Sequence, residues 1–361
     1  MRKLYLHVGV HRTGTTSTQR FLKDNFVPLL TKGYLYPFRV KRHDGQIRRL
    51  VKGEMSVHDF ALDLERRADS QQFPINSIVI SDEDMSLIQD FSLFAGLDDM
   101  FDVKVVVSLR RQDLWLESWY LQNIKWQWNP GLAHLSFAEF FKRRADFFWI
   151  DYAERLAEYE YLFGAGCVVA GVFEREDMPE GPIQAFLRMI GIEDLSGFGP
   201  FVHRNSSLSA LMSEFMRQMP MDSMDDPERT LFEAACIEVD QTLVTNGSKL
   251  VMPLAQRVIT MADYAESNRL TAQRYIGRDT LFREPLPDAA EPLADQALPE
   301  RSQEVLERFV GPVFQNLAKL MTTNRLAREK ATRDAQAKPG AVKKVPGEPP
   351  AKPAGDVPDQ G

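Results

Sequence analysis

The 361-residue chain lacks several features that would assign it to a protein class at once. It has two cysteines, Cys167 and Cys236, whose spacing fits neither a zinc site nor the disulfide framework of a small secreted domain. Cys167 lies in an apolar, strand-like run, where a buried free thiol is the usual state. The cysteine pattern therefore predicts a reduced, cytoplasmic setting.

A long hydrophobic run and an excess of positive charge are also missing. No stretch approaches the roughly 20 apolar residues that a membrane-spanning helix needs, and His7, His11 and Arg12 interrupt the first apolar residues too early for a signal peptide. The net charge of −7 gives no general basic field for nucleic acid or an anionic membrane. We therefore expect no membrane span and no nucleic-acid partner.

The chain instead shows alternating strand-like and helical patterns and enough apolar residues, 44%, for a large core. Strands are predicted at 4–8, 77–81, 103–109 and 167–173, and helices at about 17–31 and 113–126. This order predicts an α/β, three-layer fold with a mostly parallel central sheet.

From about residue 203 onward the patterns are helical, and this part completes a predicted domain over 1–282. A linker rich in proline and acidic residues at 283–299 leads to a helix at 302–334, so 283–334 is assigned as linker and C-terminal helix. The tail at 335–361 lacks hydrophobic periodicity and is expected to be disordered.

A phosphate-binding pattern follows the first strand directly. Gly9 and Gly14 bracket a tight loop, and Thr13 to Ser17 are residues typical of a helix start. The N-terminus of a helix attracts anions through its unpaired N–H groups and its dipole. Arg12 at this position opposes the dipole unless an anion lies between them, so we expect a bound phosphate or sulfate.

The residue pattern of this loop helps to distinguish between classes of phosphate-binding protein. A nucleoside-triphosphatase P-loop reads G-x-x-x-x-G-K-[ST]. Gly9 and Gly14 have that spacing, but Thr15 replaces the lysine, and the cation, Arg12, comes two residues before Gly14. A magnesium-dependent P-loop kinase or triphosphatase remains an alternative.

A second phosphate-type arrangement follows the strand at 103–109. Arg110 comes directly after the strand, and Ser118 lies eight residues later on the following helix. A fixed cation and a hydroxyl donor together suit a dianionic phosphate. Ligands in such sheets bind beyond the carboxyl ends of the strands, where both arrangements are placed.

These two motifs resemble those of sulfotransferases that use 3′-phosphoadenosine 5′-phosphosulfate (PAPS). That family has a [KR]-x-G-T-T loop, usually with lysine at the position of Arg12, and holds the cofactor's 3′-phosphate with an arginine and a serine placed like Arg110 and Ser118. The resemblance implies in-line sulfuryl transfer without a metal, with Arg12 stabilising the leaving phosphate. It implies that the cofactor is bound by Arg12, Thr13, Gly14, Thr15, Thr16, Ser17, Arg110 and Ser118.

Two further segments resemble bacterial, carbohydrate-type members of that family. The run from His203 to Ser207 resembles a segment that borders the cofactor, so Arg204 is assigned to cofactor binding; a helix-capping role for Asn205 and Ser206 is the alternative. Residues 263–279 resemble the family's terminal helix and turn. A noncatalytic nucleotide- or glycan-binding relative is the second alternative to an enzyme.

Sulfuryl transfer also needs a general base to remove the acceptor's proton. Glu83 is the first candidate because it follows the strand at 77–81; an acidic helix cap is its alternative role. His11, inside the loop, is the second candidate, and it could instead shape the loop. His58 is a weaker candidate, and His7 is expected to be a core histidine.

The acceptor leaves only an indirect trace in the sequence. Aromatic residues are dense between 115 and 149; helical spacing favours a core role, although those near 126–149 could line a sugar-binding cleft. Lys125, Lys142, Arg143 and Arg144 suit an anionic acceptor or a solvated helix face equally. A carbohydrate is the favoured acceptor, and a glycolipid, a small metabolite and a protein tyrosine remain compatible.

Overall fold

The computed structural model describes residues 1–201 and 208–337. A parallel five-stranded sheet lies at its centre, in the order β2-β3-β1-β4-β5. The strands are β1 (Arg2–His7), β2 (Tyr34–Leu35), β3 (Ser77–Ser81), β4 (Phe101–Leu109) and β5 (Val168–Val172). The predicted α/β class with a mostly parallel sheet is confirmed.

Helices cover both faces of this sheet and form the two outer layers. They are α1 (Thr15–Asp24), α2 (Phe26–Thr31), α3 (Asp44–Val51), α4 (Val57–Asp69), α5 (Gln112–Trp126), α6 (Pro130–Ala133), α7 (Phe137–Lys142), α8 (Tyr152–Phe163), α9 (Pro182–Met189), α10 (Ala210–Arg217), α11 (Asp226–Asp240), α12 (Leu254–Asp263), α13 (Ala265–Thr271), α14 (Ser302–Val305) and α15 (Gly311–Ala337). Short 3₁₀ turns and two π turns, Ala272–Ile276 and Leu306–Val310, complete the described elements.

Alternation along β1 shows how the layers are built. Leu4 and Leu6 face the larger apolar core, while Tyr5 faces a second cluster with Phe21 of α1 and Phe186 of α9. Successive side chains of a strand point to opposite faces, so a strand buried on both sides reads as a continuous apolar run. This is why the central strands were visible in the sequence.

The structure corrects the prediction at the first helix and the first two strands. The predicted helix over 17–31 is two helices that part at Asn25, because Pro28 lacks the N–H that a continuous helix would need and is instead placed in the first turn of α2. β1 spans Arg2–His7 rather than 4–8. The two-residue β2 was not predicted, since so short a strand leaves no alternating pattern.

The part after residue 208 is helical, as predicted. Its last helices pack on the main body: Phe309 is fully buried and stacks on Phe215 of α10 at 5.2 Å. Residues 335–337 belong to α15, and the rest of the predicted disordered tail lies outside the described residues. The proposed boundaries at 282 and 334 stay predictions. Within the described residues, no helix combines the length and apolar character needed to cross a bilayer.

Candidate functional site

The loop between β1 and α1 lies at the point where the strand order of the sheet reverses. β1 is flanked by β3 on one side and β4 on the other, so the chain segments that follow all three strands meet at one edge. Open parallel sheets bind ligands at this position. The loop motif, Arg110 and the acidic run after β3 are thereby brought together, as the sequence predicted.

The loop has the backbone shape of an anion cradle. Arg12 and Gly14 have positive φ angles of 70° and 79°, and Gly14 is the N-cap of α1 without any side-chain cap. A Cβ on Gly14 would lie 2.9 Å from Pro182 Cβ, so glycine is required there. Alternating left- and right-handed residues before a helix aim backbone N–H groups into a concavity that favours anions.

Side chains outside the loop donate hydrogen bonds to its backbone carbonyl oxygens. Trp115 Nε1 of α5 donates to His11 O at 2.8 Å, and Arg110 donates to Arg12 O at 2.6 Å. Thr13 is buried and its hydroxyl donates to Val10 O at 2.6 Å, so it shapes the loop rather than capping the helix. The sequence had assigned Thr13 to the helix start; Gly14 takes that role.

Arg12, Arg110 and Ser118 converge on one face of α5. Arg12 Nε donates to Ser118 Oγ at 2.6 Å, and its Nη1 donates to Gln122 Oε1 at 2.8 Å. Tyr152 fixes the backbone of Arg110, donating to its carbonyl at 2.5 Å. The arginine and serine that were predicted to hold a 3′-phosphate therefore lie around the same space, joined through Arg12.

The two arginines form a positive centre, which Glu117 and Asp113 compensate only in part and at a distance. Within the described residues neither guanidinium makes an ion pair; their partners are hydroxyl, amide and carbonyl oxygens. Burial lowers the pKa of Arg12, and burial followed by repulsion from Arg12 lowers the pKa of Arg110 to about 10. Two half-buried cations side by side are costly unless an anion joins them.

A pocket of about 350 Å³ opens over this positive centre. Its walls come from Arg12, Arg110, successive turns of α5, the start of α10 and a loop before α12. Residues that the sequence did not single out include Gln122, Ser209, Ser213, Thr245, Ser248 and Lys249. Gln122 follows Ser118 by four residues and so shares its helix face, a signal that was available; the α10 and loop residues join only through the fold.

The acidic run after β3, residues 82–84, lies beside the loop, where Asp84 contacts His11. Asp82 accepts from the backbone N–H of Asp84 at 3.2 Å and so caps the 3₁₀ turn Glu83–Leu87. Arg42 donates to Asp82 at 2.5 Å and also pairs with Asp84. Burial raises the pKa of Asp82 to about 6, against the charge of Arg42. The cap predicted as the alternative for Glu83 is provided by Asp82.

Glu83 is 8% exposed. Its carboxylate accepts a hydrogen bond from Gln19 of α1, and Arg42 Nη1 lies 3.8 Å away. Both contacts come from residues that no local pattern connects with Glu83. The structure thus places this carboxylate beside α1, the helix that follows the loop.

His11 lies between the acidic run and α5. Its ring packs on Trp119 at 4.8 Å, and Nε2 lies 3.1 Å from Asp84 Oδ1, outside the direction of a good ring N–H hydrogen bond. Burial alone would raise the pKa of Asp84, but the adjacent His11 and Arg42 outweigh it and lower that pKa. The ionised carboxylate of Asp84 therefore lies beside the imidazole.

The remaining predicted residues differ in how far they are buried. His7 is buried, its Nδ1 lies 2.8 Å from Ser81 Oγ, and burial lowers its pKa to about 3, so it is the core histidine that was expected. His58 is exposed on α4. Thr16 is exposed and Ser17 half-buried on the first turn of α1. Arg204 lies outside the described residues.

The aromatic region is mostly core. Trp115, Tyr120, Phe140 and Phe147 are buried and pack against each other. A tryptophan pair is different: Trp126 and Trp128 stack at 5.2 Å with planes 12° apart, and Trp128 is 61% exposed.

Among the basic residues nearby, Arg143 and Arg144 pair with Asp146 and Asp263 on the surface. Lys125 lines the pocket, pairs with Glu233 at 2.7 Å and lies 5.6 Å from the Trp126 ring. The solvated-face interpretation thus fits the two arginines, while Lys125 adjoins the candidate site.

No family model matches the chain. An uncharacterized protein from Archaeoglobus fulgidus is 28% identical over 220 residues, which cover 56% of this chain and 57% of that relative, so the chain matches little more than half of the relative's length. A crystal structure of a sulfotransferase from Alicyclobacillus acidocaldarius is similar over 76% of this chain and 95% of that chain, with a TM-score of 0.44 and 14% identity. At this level of similarity, function has to be inferred from the residues of this chain.

Proposed function

We propose that the protein is a sulfotransferase that moves a sulfuryl group from PAPS to a hydroxyl or amine of an acceptor. The observation that carries the proposal is the pair Arg12 and Arg110, two half-buried cations with no ion-paired carboxylate among residues 1–201 and 208–337, beside a loop that ends at a helix N-terminus. PAPS offers two anionic groups at separate positions, and the loop and the Arg110–Ser118 pair offer two matching sites.

In this proposal each part of the crevice has a defined task. The loop N–H groups, Thr15, Thr16 and Ser17 hold the 5′-phosphosulfate, while Arg110 and Ser118 hold the 3′-phosphate. Arg12, which bonds to Ser118 and Gln122, turns its guanidinium to the bridging oxygen between phosphorus and sulfur. Its charge stabilises the phosphate as it leaves, because the guanidinium is already in place when the negative charge develops.

The transfer itself is an in-line displacement at sulfur. The acceptor oxygen or nitrogen forms the new bond to sulfur as the bond from sulfur to the phosphate oxygen breaks, which releases adenosine 3′,5′-bisphosphate. A base takes the acceptor's proton. Glu83, in the acidic run after β3, and His11, between that run and α5, are the two candidates.

A carbohydrate is the acceptor that we propose. Sugar rings stack on exposed aromatic faces, and the Trp126–Trp128 pair offers such a face next to Lys125, a residue of the pocket wall. The free, buried thiols of Cys167 and Cys236 support a cytoplasmic setting.

A thermal-shift experiment on the full chain tests this function against its alternatives. Stabilisation by adenosine 3′,5′-bisphosphate without magnesium is expected. Stabilisation by ATP only with magnesium would favour a P-loop kinase or triphosphatase instead. Mass spectrometry of a glycan library incubated with labelled PAPS then separates an enzyme from a noncatalytic nucleotide- or glycan-binding protein.

A further inference from the structure

The guanidinium of Arg12 is held by two side chains that lie one helical turn apart on α5. Its Nε donates to Ser118 Oγ at 2.6 Å, and its Nη1 donates to Gln122 Oε1 at 2.8 Å. Residues four apart on a helix share one face. Two bonds to one rigid helix fix the plane of the guanidinium, whereas the bond to Ser118 alone would still allow it to rotate.

The direction of the Gln122 amide follows from the chemistry of its partner. A guanidinium only donates hydrogen bonds, so the amide oxygen, and not the amide nitrogen, must face Arg12. Gln122 also lines the pocket that contains Arg12 and Arg110. The amide therefore accepts from the cation at the edge of the pocket and brings no negative charge there.

Arg217 is held by the opposite kind of partner. Its Nε and Nη2 both donate to the carboxylate of Glu214, at 2.7 and 2.6 Å. A carboxylate fixes a guanidinium and at the same time neutralises it. The neutral oxygens of Ser118 and Gln122 fix Arg12 and leave its charge for a ligand.

We propose that Gln122 is a positioning residue of the anion site, which sets the plane of the Arg12 guanidinium without neutralising it. This role rests on the proposed function, since the anion concerned is the 5′-phosphate group of the nucleotide. Within the described residues, Arg12 Nη2 makes no hydrogen bond, so the plane of the guanidinium decides where its two N–H donors point. The side chain at position 122 thus determines both the direction and the free charge of the arginine.

Titration calorimetry of the full chain with two nucleotides tests this role. Adenosine 3′,5′-bisphosphate and adenosine 3′-phosphate differ only in the 5′-phosphate, so the ratio of their affinities measures what Arg12 and the loop contribute. Gln122→Leu removes the amide and keeps the charge of Arg12. It should reduce this ratio by about 3- to 10-fold, while the affinity for adenosine 3′-phosphate changes little.

A second variant, Gln122→Glu, separates the geometry of Arg12 from its charge. Glutamate has nearly the shape of glutamine and can keep the bond to Arg12, but it gives the arginine a carboxylate partner. We expect a melting temperature no lower than that of the unsubstituted chain and an affinity ratio reduced by about 10- to 100-fold. The ligand phosphate then competes with a counter-ion of the protein itself.

Gln273 offers a matched control outside the pocket. Its Oε1 accepts from Arg269 Nη1 at 2.8 Å on the surface, where Arg269 also pairs with Glu266. Gln273→Leu and Gln273→Glu should leave the affinity ratio unchanged. Adding Gln122→Leu to an Arg12→Ala chain should also leave it unchanged, because no guanidinium remains to be positioned, whereas a general structural effect would persist.

Four outcomes would overturn this role of Gln122. They are an unchanged ratio in Gln122→Leu, an equal loss with and without Arg12, an unchanged ratio in Gln122→Glu, and equal affinity of the unsubstituted chain for the two nucleotides. If the unsubstituted chain binds neither nucleotide, the proposed function fails together with this role. If it prefers the bisphosphate and the variants at position 122 keep that preference, only the role of Gln122 is refuted.

Discussion

Two groups of arginines lie along α5 and differ in their counter-ions. Arg257 is fully buried and bonds to Asp113 at 2.9 Å and to Glu117 at 2.5 Å, while Met252 O accepts from its Nε. Within the described residues, Arg12 and Arg110, which line a pocket together with Glu117, form hydrogen bonds to neutral oxygens and no ion pair. With Arg111, which also pairs with Asp113, the first group has two cations and two carboxylates. The second has two cations and no bonded carboxylate within the described residues.

This difference separates a structural role from a binding role. Removing charges from water is costly, and a buried ion pair recovers part of that cost within the protein. Arg257 recovers it from two carboxylates. In the part of the chain that the structure describes, Arg12 and Arg110 have no such partner and repel each other, which is the arrangement expected where a ligand brings the negative charge.

The carboxylates near the loop allow the same comparison and give the largest expected effect. Asp82 and Asp84 contact Arg42 closely, whereas Glu83 lies 3.8 Å from Arg42 Nη1 and accepts its hydrogen bond from the neutral Gln19. If Glu83 is the base, Glu83→Gln should lower turnover by roughly 10²–10⁴-fold with little change in cofactor affinity. Calorimetry and a turnover assay on the same variant measure both quantities.

Near-normal turnover of Glu83→Gln would transfer the role to His11, whose Nε2 lies beside the ionised Asp84. His11→Ala is then the next variant to assay, followed by His58→Ala. Asp90→Asn is a control for the loss of a carboxylate, because Asp90 caps a different 3₁₀ turn, Phe91–Phe94.

Removing Arg257 should destabilise the fold and leave nucleotide binding unchanged. Arg257→Ala leaves the buried Glu117 without a cation, while Asp113 keeps its ion pair with Arg111; breaking a buried ion pair in this way typically costs about 3–5 kcal/mol of unfolding free energy. Denaturant unfolding measures that loss, and Arg257→Lys, which retains a positive charge, should lose less. A variant as stable as the wild type would contradict the structural role of Arg257.

Arg110→Ala should do the opposite. We expect binding of adenosine 3′,5′-bisphosphate to weaken by about 1.5–3 kcal/mol, while binding of adenosine 5′-phosphate changes little, since only the former has a 3′-phosphate. Titration calorimetry with both nucleotides gives the difference directly.

The neighbouring Arg111 is a matched control for Arg110. It pairs with Asp113 at 2.7 Å and donates to the carbonyl of Glu284 at 2.6 Å, so Arg111→Ala should reduce stability and preserve the difference between the two nucleotides. Equal losses for both nucleotides in Arg110→Ala would refute the 3′-phosphate assignment.

Low pH should reduce the free energy of unfolding because His7 and His43 are buried in their uncharged form. Burial lowers the pKa of His7 to about 3 and that of His43 to about 4. Below the unfolded pKa, near 6.5, the unfolded chain binds protons that the folded chain does not, so stability falls as the pH falls. The slope is about 1.4 kcal/mol per pH unit for each histidine until its folded pKa is reached, and Asp82, whose pKa burial raises to about 6, offsets the slope of one histidine below that pH.

Unfolding curves between pH 7 and pH 4 test this slope, with pH 4 set by the folded pKa of His43. His7→Asn should make stability depend less steeply on pH. An unchanged slope would show that His7 is not uncharged in the folded chain. Because arginine stays protonated throughout this range, the comparison between the two arginine groups is unaffected.

Sequence patterns predicted the parts of the structure that depend on neighbouring residues. β3 has the predicted bounds, Ser77–Ser81, and α5 differs from its prediction by one residue at its start. A buried strand or an amphipathic helix is encoded in its own residues, so periodicity detects it. The loop glycines and Arg12 were detected because they too are close together in the sequence and form a local pattern.

Contacts between distant segments could not be predicted in this way. Arg42, which pairs with Asp82 and Asp84, lies in a turn before α3, and nothing in its local sequence points to β3. Gln19 and Glu83 are joined only once α1 packs beside the end of the sheet. These pairings depend on the strand order, which single-sequence patterns leave open.

Titration calorimetry of the unmodified chain with adenosine 3′,5′-bisphosphate, in the absence of magnesium, tests the central claim most directly. If Arg12 and Arg110 form an anion site for a nucleotide with two separate phosphates, this ligand binds more tightly than adenosine 5′-phosphate by about 1.5–3 kcal/mol. Equal affinity for the two nucleotides, or no binding of either, would contradict it.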